Sequence, residues 1–223
     1  MVLSCSSDKP GDDTDAVAKR PPESSPASIV WNIDNLQSIG GQGVTVLGSP
    51  EIIETPGGKA ALFDGVDDGL LVDVHPLEGA ETFTLEVVFH PDAGGLEAQR
   101  FFHLQEDEGD NRILIETRLT ENDMWYLDTY IKSDETDQTL VDGTKTHPVG
   151  AWYNAALVFD GSEMRHYVNG VKELSASIGS FTPPGPGKTS IGVRINRVFW
   201  FKGAIRTARF TRGVLSPDEF LRP

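Results

Sequence analysis

Polar side chains that could bind a ligand recur at every second position in several segments of the sequence. Successive side chains of a strand point to opposite faces, so alternation groups His103 with Gln105, and Glu116 with Arg118. Carboxylate, amide, guanidinium and aromatic groups suit sugar hydroxyls and ring faces. The predicted ligand-binding residues are Glu86, His90, His103, Gln105, Glu116, Arg118, Tyr126, Asp128, Arg194, Asn196 and Trp200.

The same residues have a simpler interpretation. One face of an antiparallel sheet is often solvated, and its polar side chains then only form cross-strand pairs. Trp200 has a similar ambiguity, because alternation places it opposite to Phe199 and Phe201. It either packs in the core or forms an exposed platform for a sugar ring or a protein partner. The sequence leaves these alternatives open.

A weak calcium candidate is the cluster Asp64, Asp67 and Asp68. Calcium prefers hard oxygen ligands from carboxylates and carbonyls, which such a loop supplies. An aspartate-rich hairpin turn explains the same residues, since Asp side chains bind backbone amides within turns. The turn is the favoured interpretation, and no cofactor is expected apart from this weak calcium candidate.

Composition excludes several classes of protein. Acidic residues outnumber basic ones 34 to 19, which gives a formal net charge of −15. Nucleic acid is therefore not an expected partner, because phosphate binding needs a basic surface. With a single cysteine, Cys5, the chain has no intrachain disulfide framework. No apolar run is long enough for a transmembrane helix.

The first residues resemble a truncated lipoprotein signal. A small residue precedes Cys5, and an Asp-rich stretch follows it, as in surface-exported bacterial lipoproteins. Residues 1–28 are rich in Pro, Ser and Asp and are predicted to be a lipoprotein-like segment and disordered tether. Lipid on Cys5 would place the protein at the bacterial outer membrane or cell surface, with secretion as the alternative. An ordinary disordered terminus with a chance cysteine also fits.

The strands that must position the candidate residues are short and are separated by turn residues. Residues 82–90 alternate most regularly, with four apolar side chains on one face, which indicates a sheet buried on one side. Trp152 is expected to anchor the core between two sheets. Further strands are predicted at residues 44–47, 52–53, 60–63, 70–74, 100–105, 112–119, 124–131, 152–159, 164–169, 189–195 and 199–211.

One helical turn is predicted at the C-terminus. Ser216 is an N-cap, Pro217 occupies the first helical position, and Glu219 completes a capping box. Strands do not alternate with helices, which argues against a nucleotide-binding α/β fold. The predicted fold is all-β, an antiparallel two-sheet β-sandwich of the jelly-roll type, formed by residues 29–223.

Several phrases resemble laminin-G-like domains of the concanavalin A-like lectin and glucanase group. The first is Gly58-Lys-Ala-Ala-Leu-Phe-Asp-Gly, and the second is Phe83-Thr-Leu-Glu-Val-Val-Phe. The most characteristic is the hairpin Ala151-Trp-Tyr-Asn-Ala-Ala-Leu-Val-Phe-Asp-Gly with Met164-Arg-His-Tyr-Val-Asn-Gly. A closing strand and turn follow, from Phe201 to Phe220. This resemblance implies a concanavalin A-like jelly roll, and together with the lipoprotein-like first residues it implies such a domain on a bacterial surface lipoprotein.

The resemblance is weaker for function, because this fold hosts lectins, protein-binding modules and polysaccharide-degrading enzymes. The favoured function is a non-catalytic carbohydrate-binding module whose partner is a polysaccharide or glycan. One alternative is a glycan-active enzyme, and another is a protein-interaction subunit of an outer-membrane assembly. The paired-carboxylate motif of related hydrolases is missing, since Glu106-Asp107-Glu108 lies in a turn-like run.

The enzyme alternative takes its residues from the resemblance to jelly-roll alginate lyases. In that case His103 or Tyr126 would be the base, and Arg118 and Gln105 would neutralise a uronate. The resemblance also bears on calcium. The closing strand of the family often has Asp after Gly-x-Ile, whereas this chain has Arg206, whose charge would repel the ion.

Overall fold

The computed structural model describes residues 1–2 and 26–223, and it confirms the all-β prediction. The described residues form seventeen strands and a single 3-10 turn, Pro217–Glu219. The strands are β1 Ser28–Asn32, β2 Ser38–Ile39, β3 Gln42–Leu47, β4 Glu51–Thr55, β5 Gly58–Asp64, β6 Gly69–Val72, β7 Phe83–Pro91, β8 Ala98–Glu106, β9 Arg112–Leu119, β10 Met124–Ser133, β11 Thr136–Val141, β12 His147–Pro148, β13 Tyr153–Phe159, β14 Glu163–Val168, β15 Val171–Ser177, β16 Gly187–Ile191 and β17 Lys202–Thr211.

The strands form two antiparallel sheets that pack face to face. The first sheet has eight strands in the order β15-β14-β13-β7-β17-β5-β4, and β1 also pairs with β17. The second has nine strands in the order β11-β10-β9-β8-β16-β6-β3-β2, and β12 also pairs with β10. Some neighbours come from distant parts of the chain, such as β7 and β17 in the first sheet and β8 and β16 in the second, as in a jelly roll.

The core lies between the inner faces of the two sheets. Strand β7 contributes Phe83, Leu85, Val87 and Phe89, all fully buried, as the alternation of this segment predicts. Stacked and edge-on aromatic pairs join the sheets, such as Phe89 with Phe101 at 4.5 Å between ring centroids. The inner faces are therefore filled by apolar packing, so a ligand-binding site is expected on the outer faces or in the loops.

The prediction that Trp152 anchors the core is wrong. Its neighbour Tyr153 points inward, so alternation turns Trp152 outward, where it is partly exposed beside His90 and Arg206. The buried tryptophans are Trp31 and Trp125.

The segment between the last two strands also differs from the prediction. The strands expected at residues 189–195 and 199–211 are interrupted, and residues 192–201 form a loop instead. Gly192, Arg197 and Phe199 have φ values of +79°, +60° and +62°, which are incompatible with an extended strand. The loop folds back on β8, where the Gly192 amide donates to the Phe101 carbonyl at 2.8 Å.

Local turn chemistry elsewhere agrees with the sequence. Asn169 and Gly170, with φ values of +51° and +81°, form the tight turn between β14 and β15. The capping box forms as well, since the Ser216 amide donates to Glu219 Oε2 at 2.9 Å. Across the described ranges, no helix is both long enough and apolar enough to cross a bilayer.

The predicted tether falls mostly outside the described residues. Cys5, its predicted lipidation site, lies there too. Strand β1 begins at Ser28, the last residue of the segment expected to be a tether, and Ser28 Oγ lies 2.7 Å from Thr211 Oγ1.

Candidate ligand-binding face

A polar cavity opens on the outer face of the second sheet. It has a volume of about 280 Å³ and is hereafter called the arginine-lined cavity. Most of its wall comes from the outward side chains of β8, β9 and β10, with contributions from β11 and the 192–201 loop. The lining residues are Arg100, Arg112, Leu114, Glu116, Arg118, Asp128, Tyr130, Thr139 and Arg194.

The register of β9 and β10 determines which of these groups meet. Glu116 lies directly opposite Asp128, and Leu114 lies opposite Tyr130. Thr139 of β11 faces Tyr130 from the other side. Two carboxylates placed directly across from each other repel, so this pairing is stable only if cations lie between them.

Arg100 and Arg118 supply those cations. The Nε of Arg100 donates a hydrogen bond to Glu116 Oε2. Arg118 Nε donates to Asp128 Oδ2 at 3.0 Å. Arg118 Nη2 also lies 2.6 Å from Glu116 Oε1, an ion-pair contact that lacks hydrogen-bond geometry. The result is a continuous Arg100–Glu116–Arg118–Asp128 network across three strands.

The two carboxylates of this network are shielded from solvent. Glu116 is 3% exposed and Asp128 is 5% exposed. Burial raises the pKa of both groups, and for Glu116 the charge of Asp128 adds to the effect, while the guanidinium groups oppose it. The carboxylates therefore act mainly as rigid supports that fix the directions of the arginines.

The 192–201 loop covers one side of the arginine-lined cavity and brings Arg194 to it. The Arg100 amide donates to the Phe199 carbonyl at 2.9 Å, which holds the loop against β8. The Arg100 guanidinium also lies 4.1 Å from the centre of the Phe199 ring. These contacts fix the loop, and with it the position of Arg194.

Arg112 and Arg194 lack the buried carboxylate partners that Arg100 and Arg118 have. Among the described residues, the acidic contact of Arg112 is the exposed Asp110, through its carbonyl at 2.7 Å and its carboxylate at 3.4 Å, and Arg112 Nη2 also donates to the Tyr130 hydroxyl at 3.4 Å. Within the described part of the chain, Arg194 has no acidic group within 4.0 Å. Burial lowers the pKa of Arg194, and the charges of Arg100 and Arg112 lower it further.

Tyr130 and Leu114 give the arginine-lined cavity an apolar component. The Arg112 guanidinium lies 5.1 Å from the centre of the Tyr130 ring. Burial raises the pKa of Tyr130, so the phenol stays protonated and can both donate and accept a hydrogen bond. Leu114 is almost fully buried on the same face of β9. A ring with one apolar side could rest on these residues.

The structure brings four of the predicted ligand-binding residues together. Glu116, Arg118, Asp128 and Arg194 all line the arginine-lined cavity. The structure does not bring the residues of the enzyme alternative together in one cavity. Its Tyr126 lies directly opposite Arg118 in the register of β9 and β10 but borders a separate cavity of about 550 Å³, with Thr120 and Glu121.

His103 and Gln105 share the outer face of β8 but do not line the cavity. His103 is fully buried, and its Nδ1 accepts a hydrogen bond from the Ile195 amide at 3.2 Å. Burial lowers the pKa of His103 to about 3, and the nearby Arg194 and Arg112 contribute. His103 is therefore a neutral support for the 192–201 loop, and Gln105 lies further along the strand, partly exposed.

Two predicted residues lie on the opposite surface of the sandwich. Glu86 is on the outer side of β7 in the first sheet and is 0% exposed, which removes it from any surface that a ligand could contact. Arg209 covers the Glu86 side chain, and Glu86 Oε1 accepts a hydrogen bond from the Leu221 amide at 2.6 Å. His90 lies on the same outer face, and its Nδ1 is 3.0 Å from Asp92 Oδ1.

Asn196 and Trp200 belong to the 192–201 loop rather than to the predicted strands. Asn196 is exposed and Trp200 is partly exposed, and neither lines the arginine-lined cavity. The alternation that grouped Asn196 with Arg194 does not apply in this loop.

Five lining residues were not among the predicted ligand-binding residues. Arg112 and Leu114 continue the alternation of Glu116 and Arg118 and were accessible to the same argument. Arg100 was not, because a register shift between Gln99 and Phe102 breaks the period of two in β8. Tyr130 continues the alternation of Tyr126 and Asp128 along β10 and was accessible in the same way, whereas Thr139 is defined by a cross-strand neighbour that sequence spacing does not reveal.

The aspartate cluster forms a turn in which the carboxylates accept hydrogen bonds from backbone amides. Ligand atoms of Asp64, Asp67 and Asp68 lie within 4.8 Å of one another. However, Asp68 Oδ1 accepts from the Ser49 amide at 2.6 Å, and its Oδ2 accepts from the Asp64 amide at 2.9 Å. Asp64 Oδ1 in turn accepts from the Val66 amide at 2.8 Å. Backbone amides therefore already bind several of the carboxylate oxygens that could bind calcium, as the turn interpretation expects.

Arg206 does not lie where the calcium argument placed it. Its guanidinium lies 4.8 Å from the centre of the Trp152 ring, and it does not line the cavity beside the aspartates. The cation beside the aspartates is Lys202.

Comparison with protein families identifies the class of the chain. Residues 64–220 match the laminin-G model described as the concanavalin A-like lectin/glucanases superfamily. The chain therefore belongs to this superfamily, in agreement with the sandwich fold. Comparison with curated protein sequences found no match.

Solved structures show the same architecture. The chain is similar to domain 4 of AbnA, a GH43 extracellular arabinanase from Geobacillus stearothermophilus, in complex with arabinotriose. The TM-score is 0.67 at 18% identity, over 87% of this chain and 97% of that one. It is also similar to the botulinum neurotoxin serotype D binding domain, with a TM-score of 0.63 at 12% identity over 86% of this chain. The chain covers 50% of the length of that toxin structure. At these identities the similarity establishes the fold.

Proposed function

We propose that the chain is a non-catalytic carbohydrate-binding domain that binds its ligand in the arginine-lined cavity. The observation that carries this proposal is the preformed set of polar groups on the outer face of the second sheet. Ion pairs fix the guanidinium groups of Arg100 and Arg118 before any ligand arrives, which lowers the ordering cost of binding. Arg, Tyr and Thr side chains supply donors and acceptors for sugar hydroxyls, and Tyr130 with Leu114 supplies a surface for a ring.

The superfamily supports this proposal. A domain of the same architecture, domain 4 of AbnA, was solved in complex with arabinotriose, and it matches this chain over nearly its whole length. The volume of about 280 Å³ is near the lower end of the range for small-molecule sites. We therefore expect the arginine-lined cavity to hold one or two sugar units, with the rest of a polymer extending over the sheet.

The state of the carboxylates favours binding over hydrolysis. Glycoside hydrolysis needs two carboxyl groups that flank and reach the glycosidic bond. Glu116 and Asp128 are the carboxylates that line the arginine-lined cavity, and each is covered by a guanidinium group. For either to reach a substrate, its arginine would first have to move away, leaving a buried charge without a partner.

The lyase alternative receives less support from the geometry. It requires His103 or Tyr126 as a base beside Arg118. His103 is buried, and its Nδ1 accepts a hydrogen bond from the Ile195 amide. Tyr126 lies opposite Arg118 in the strand register, but it borders a different cavity from the one that Arg118 lines. This distribution around separate sites is why binding without chemistry is the preferred proposal.

We also propose that the domain is displayed on the bacterial surface through lipid on Cys5, with secretion as the alternative. The observations behind this are the residues around Cys5 and the polar composition of residues 1–28. A glycan-binding domain on a polar tether could reach polysaccharides outside the cell.

The proposed function can be tested by affinity electrophoresis of the full chain through gels that contain neutral and acidic polysaccharides. The same mixtures are assayed for new reducing or unsaturated ends. We expect retardation without product formation, and loss of retardation in Tyr130→Ala. Arg212→Ala is the matched control, because Arg212 is exposed at the end of β17, away from the cavity. Product formation would refute the non-catalytic proposal, and retardation that Tyr130→Ala leaves unchanged would refute the site.

A further inference from the structure

The charge of the arginine-lined cavity is opposite to that of the chain. Four guanidinium groups and two carboxylates line it, in a protein whose formal net charge is −15. The excess of positive charge is concentrated on one outer sheet face. Guanidinium groups gathered on one face repel one another, and this cost must be offset by neighbouring anions.

The neighbouring carboxylates offset the repulsion between the guanidinium groups only in part. Glu116 and Asp128 neutralise Arg100 and Arg118 through the network described above. Within the described part of the chain, Asp110 is the acidic group that contacts Arg112, and because its side chain is 59% exposed such a pair contributes little. Arg194 has no acidic partner among the described residues. Two guanidinium groups therefore face the arginine-lined cavity without a strong counter-charge.

Contacts hold the Arg112 side chain in place and fix the backbone that carries Arg194. Arg112 donates from Nη1 to the Asp110 carbonyl and lies against the Tyr130 ring, while its buried Nε has no hydrogen-bond acceptor within the described residues. Arg194 is carried by the 192–201 loop, which is fixed to β8 by backbone hydrogen bonds. The guanidinium groups of Arg112 and Arg194 both line the cavity, so an anion bound there would accept their hydrogen bonds and supply the missing counter-charge.

We infer that the arginine-lined cavity binds an acidic sugar, and that Arg112 and Arg194 hold its anionic group while Tyr130 and Leu114 contact its ring. This inference rests on the proposed function and names its ligand class. The shared chemistry is a sugar that bears a carboxylate or a sulfate, either of which accepts several hydrogen bonds from guanidinium groups.

The inference can be tested with chemically matched polymers. The probes are polygalacturonate and its carboxyl-reduced form, and a sulfated galactan and its desulfated form. Binding of the full chain to each is measured by affinity electrophoresis and titration calorimetry. We expect at least one anionic polymer to bind about 10- to 100-fold more tightly than its neutral form, the effect of losing a charge-assisted hydrogen-bonded pair. The polymer whose neutralisation weakens binding by this factor identifies the anion as carboxylate or sulfate.

Single substitutions test which residues bind the anionic group. We expect Arg112→Gln and Arg194→Gln each to weaken binding of the anionic polymer about 10- to 100-fold. Arg212→Gln, which removes the same charge from an exposed site outside the arginine-lined cavity, should leave binding unchanged. The melting temperatures of all three variants should match that of the parent chain, which separates loss of binding from loss of folding.

The outcomes distinguish this inference from the proposed function. Equal binding of charged and neutral polymers, lost in Tyr130→Ala, would overturn the acidic ligand and leave carbohydrate binding intact. Normal binding of the anionic polymer by both Arg112→Gln and Arg194→Gln would overturn the assigned residues. Failure of every polymer to bind would overturn the proposed function and this inference together.

Discussion

Replacing Glu86 with alanine tests whether this predicted ligand-binding residue is instead a structural clamp. Glu86 is 0% exposed, and Arg209 donates to its Oε2 from Nε. Its Oε1 accepts from the Leu221 amide at 2.6 Å. The side chain thus ties β7 to β17 and to the C-terminal segment that follows the 3-10 turn.

The expected loss follows from what the substitution leaves behind. Arg209, whose side chain is 17% exposed, would keep its charge without its carboxylate partner, and the Leu221 amide would lose its acceptor. Removing one member of a buried ion pair costs about 3–5 kcal/mol in free energy of unfolding. For a chain of this size each kcal/mol lowers the melting temperature by about 2–4 °C, so the melting temperature should fall by about 6–20 °C.

Urea and thermal unfolding, together with polysaccharide binding at a temperature where the variant is folded, provide the assay. Glu86→Gln keeps an acceptor for the Leu221 amide and should lose less stability than Glu86→Ala. The double variant Glu86→Met with Arg209→Met removes both charges and should also be more stable than Glu86→Ala, because no charge is left without a partner. A melting temperature within 2 °C of the parent, or loss of binding by the folded variant, would refute the clamp.

Three further predictions concern stability and location. His75 and His166, with pKa values lowered to about 4 by burial, and His103, lowered to about 3, are neutral in the fold but titrate near 6.5 when unfolded. Protons therefore favour the unfolded chain below about pH 6.5, and these three histidines should lower the free energy of unfolding by about 6 kcal/mol between pH 7.5 and pH 5. Buried carboxyl groups with raised pKa offset part of this loss. A urea midpoint that does not change over this range would contradict the assignment. Gly203→Ala should destabilise by about 2 kcal/mol or more in urea unfolding, because a Cβ would lie 2.1 Å from the His90 carbonyl oxygen and φ is +143°; full stability would show that the strands can separate. Cys5→Ser should release the precursor protein from membranes in cell fractionation, and unchanged membrane association would contradict the lipid anchor.

The fold was accessible from the sequence because its signals are local. Strand β7 alternates with the period of two that a half-buried strand requires, and the Asn169-Gly170 turn needs only the two residues that tolerate positive φ. The capping box at Ser216 and Glu219 formed as predicted. Trp152 shows the limit of this reasoning, since its size suggested the core but its position in the alternation turned it outward.

Part of the candidate site was also accessible. Glu116 and Arg118 alternate along β9, and the same period extends to Arg112. The sequence could group them on one face, but it could not show which outer face of the sandwich carries a cavity. Glu86 satisfied the same pattern in β7 and is covered by Arg209 and the C-terminal segment instead.

By itself, the sequence determined the alternating strands, the turn positions and the sandwich that buries their apolar faces, because each depends on residues that are close together in the chain. Only the tertiary structure decided where the charges meet. Glu116 faces Asp128 because of strand register, Arg100 reaches them across a bulge, and the 192–201 loop brings Arg194 from another part of the chain. Electrostatic energy depends on distance in space, so whether an arginine is neutralised in the fold or available to a ligand is settled only when distant strands pair.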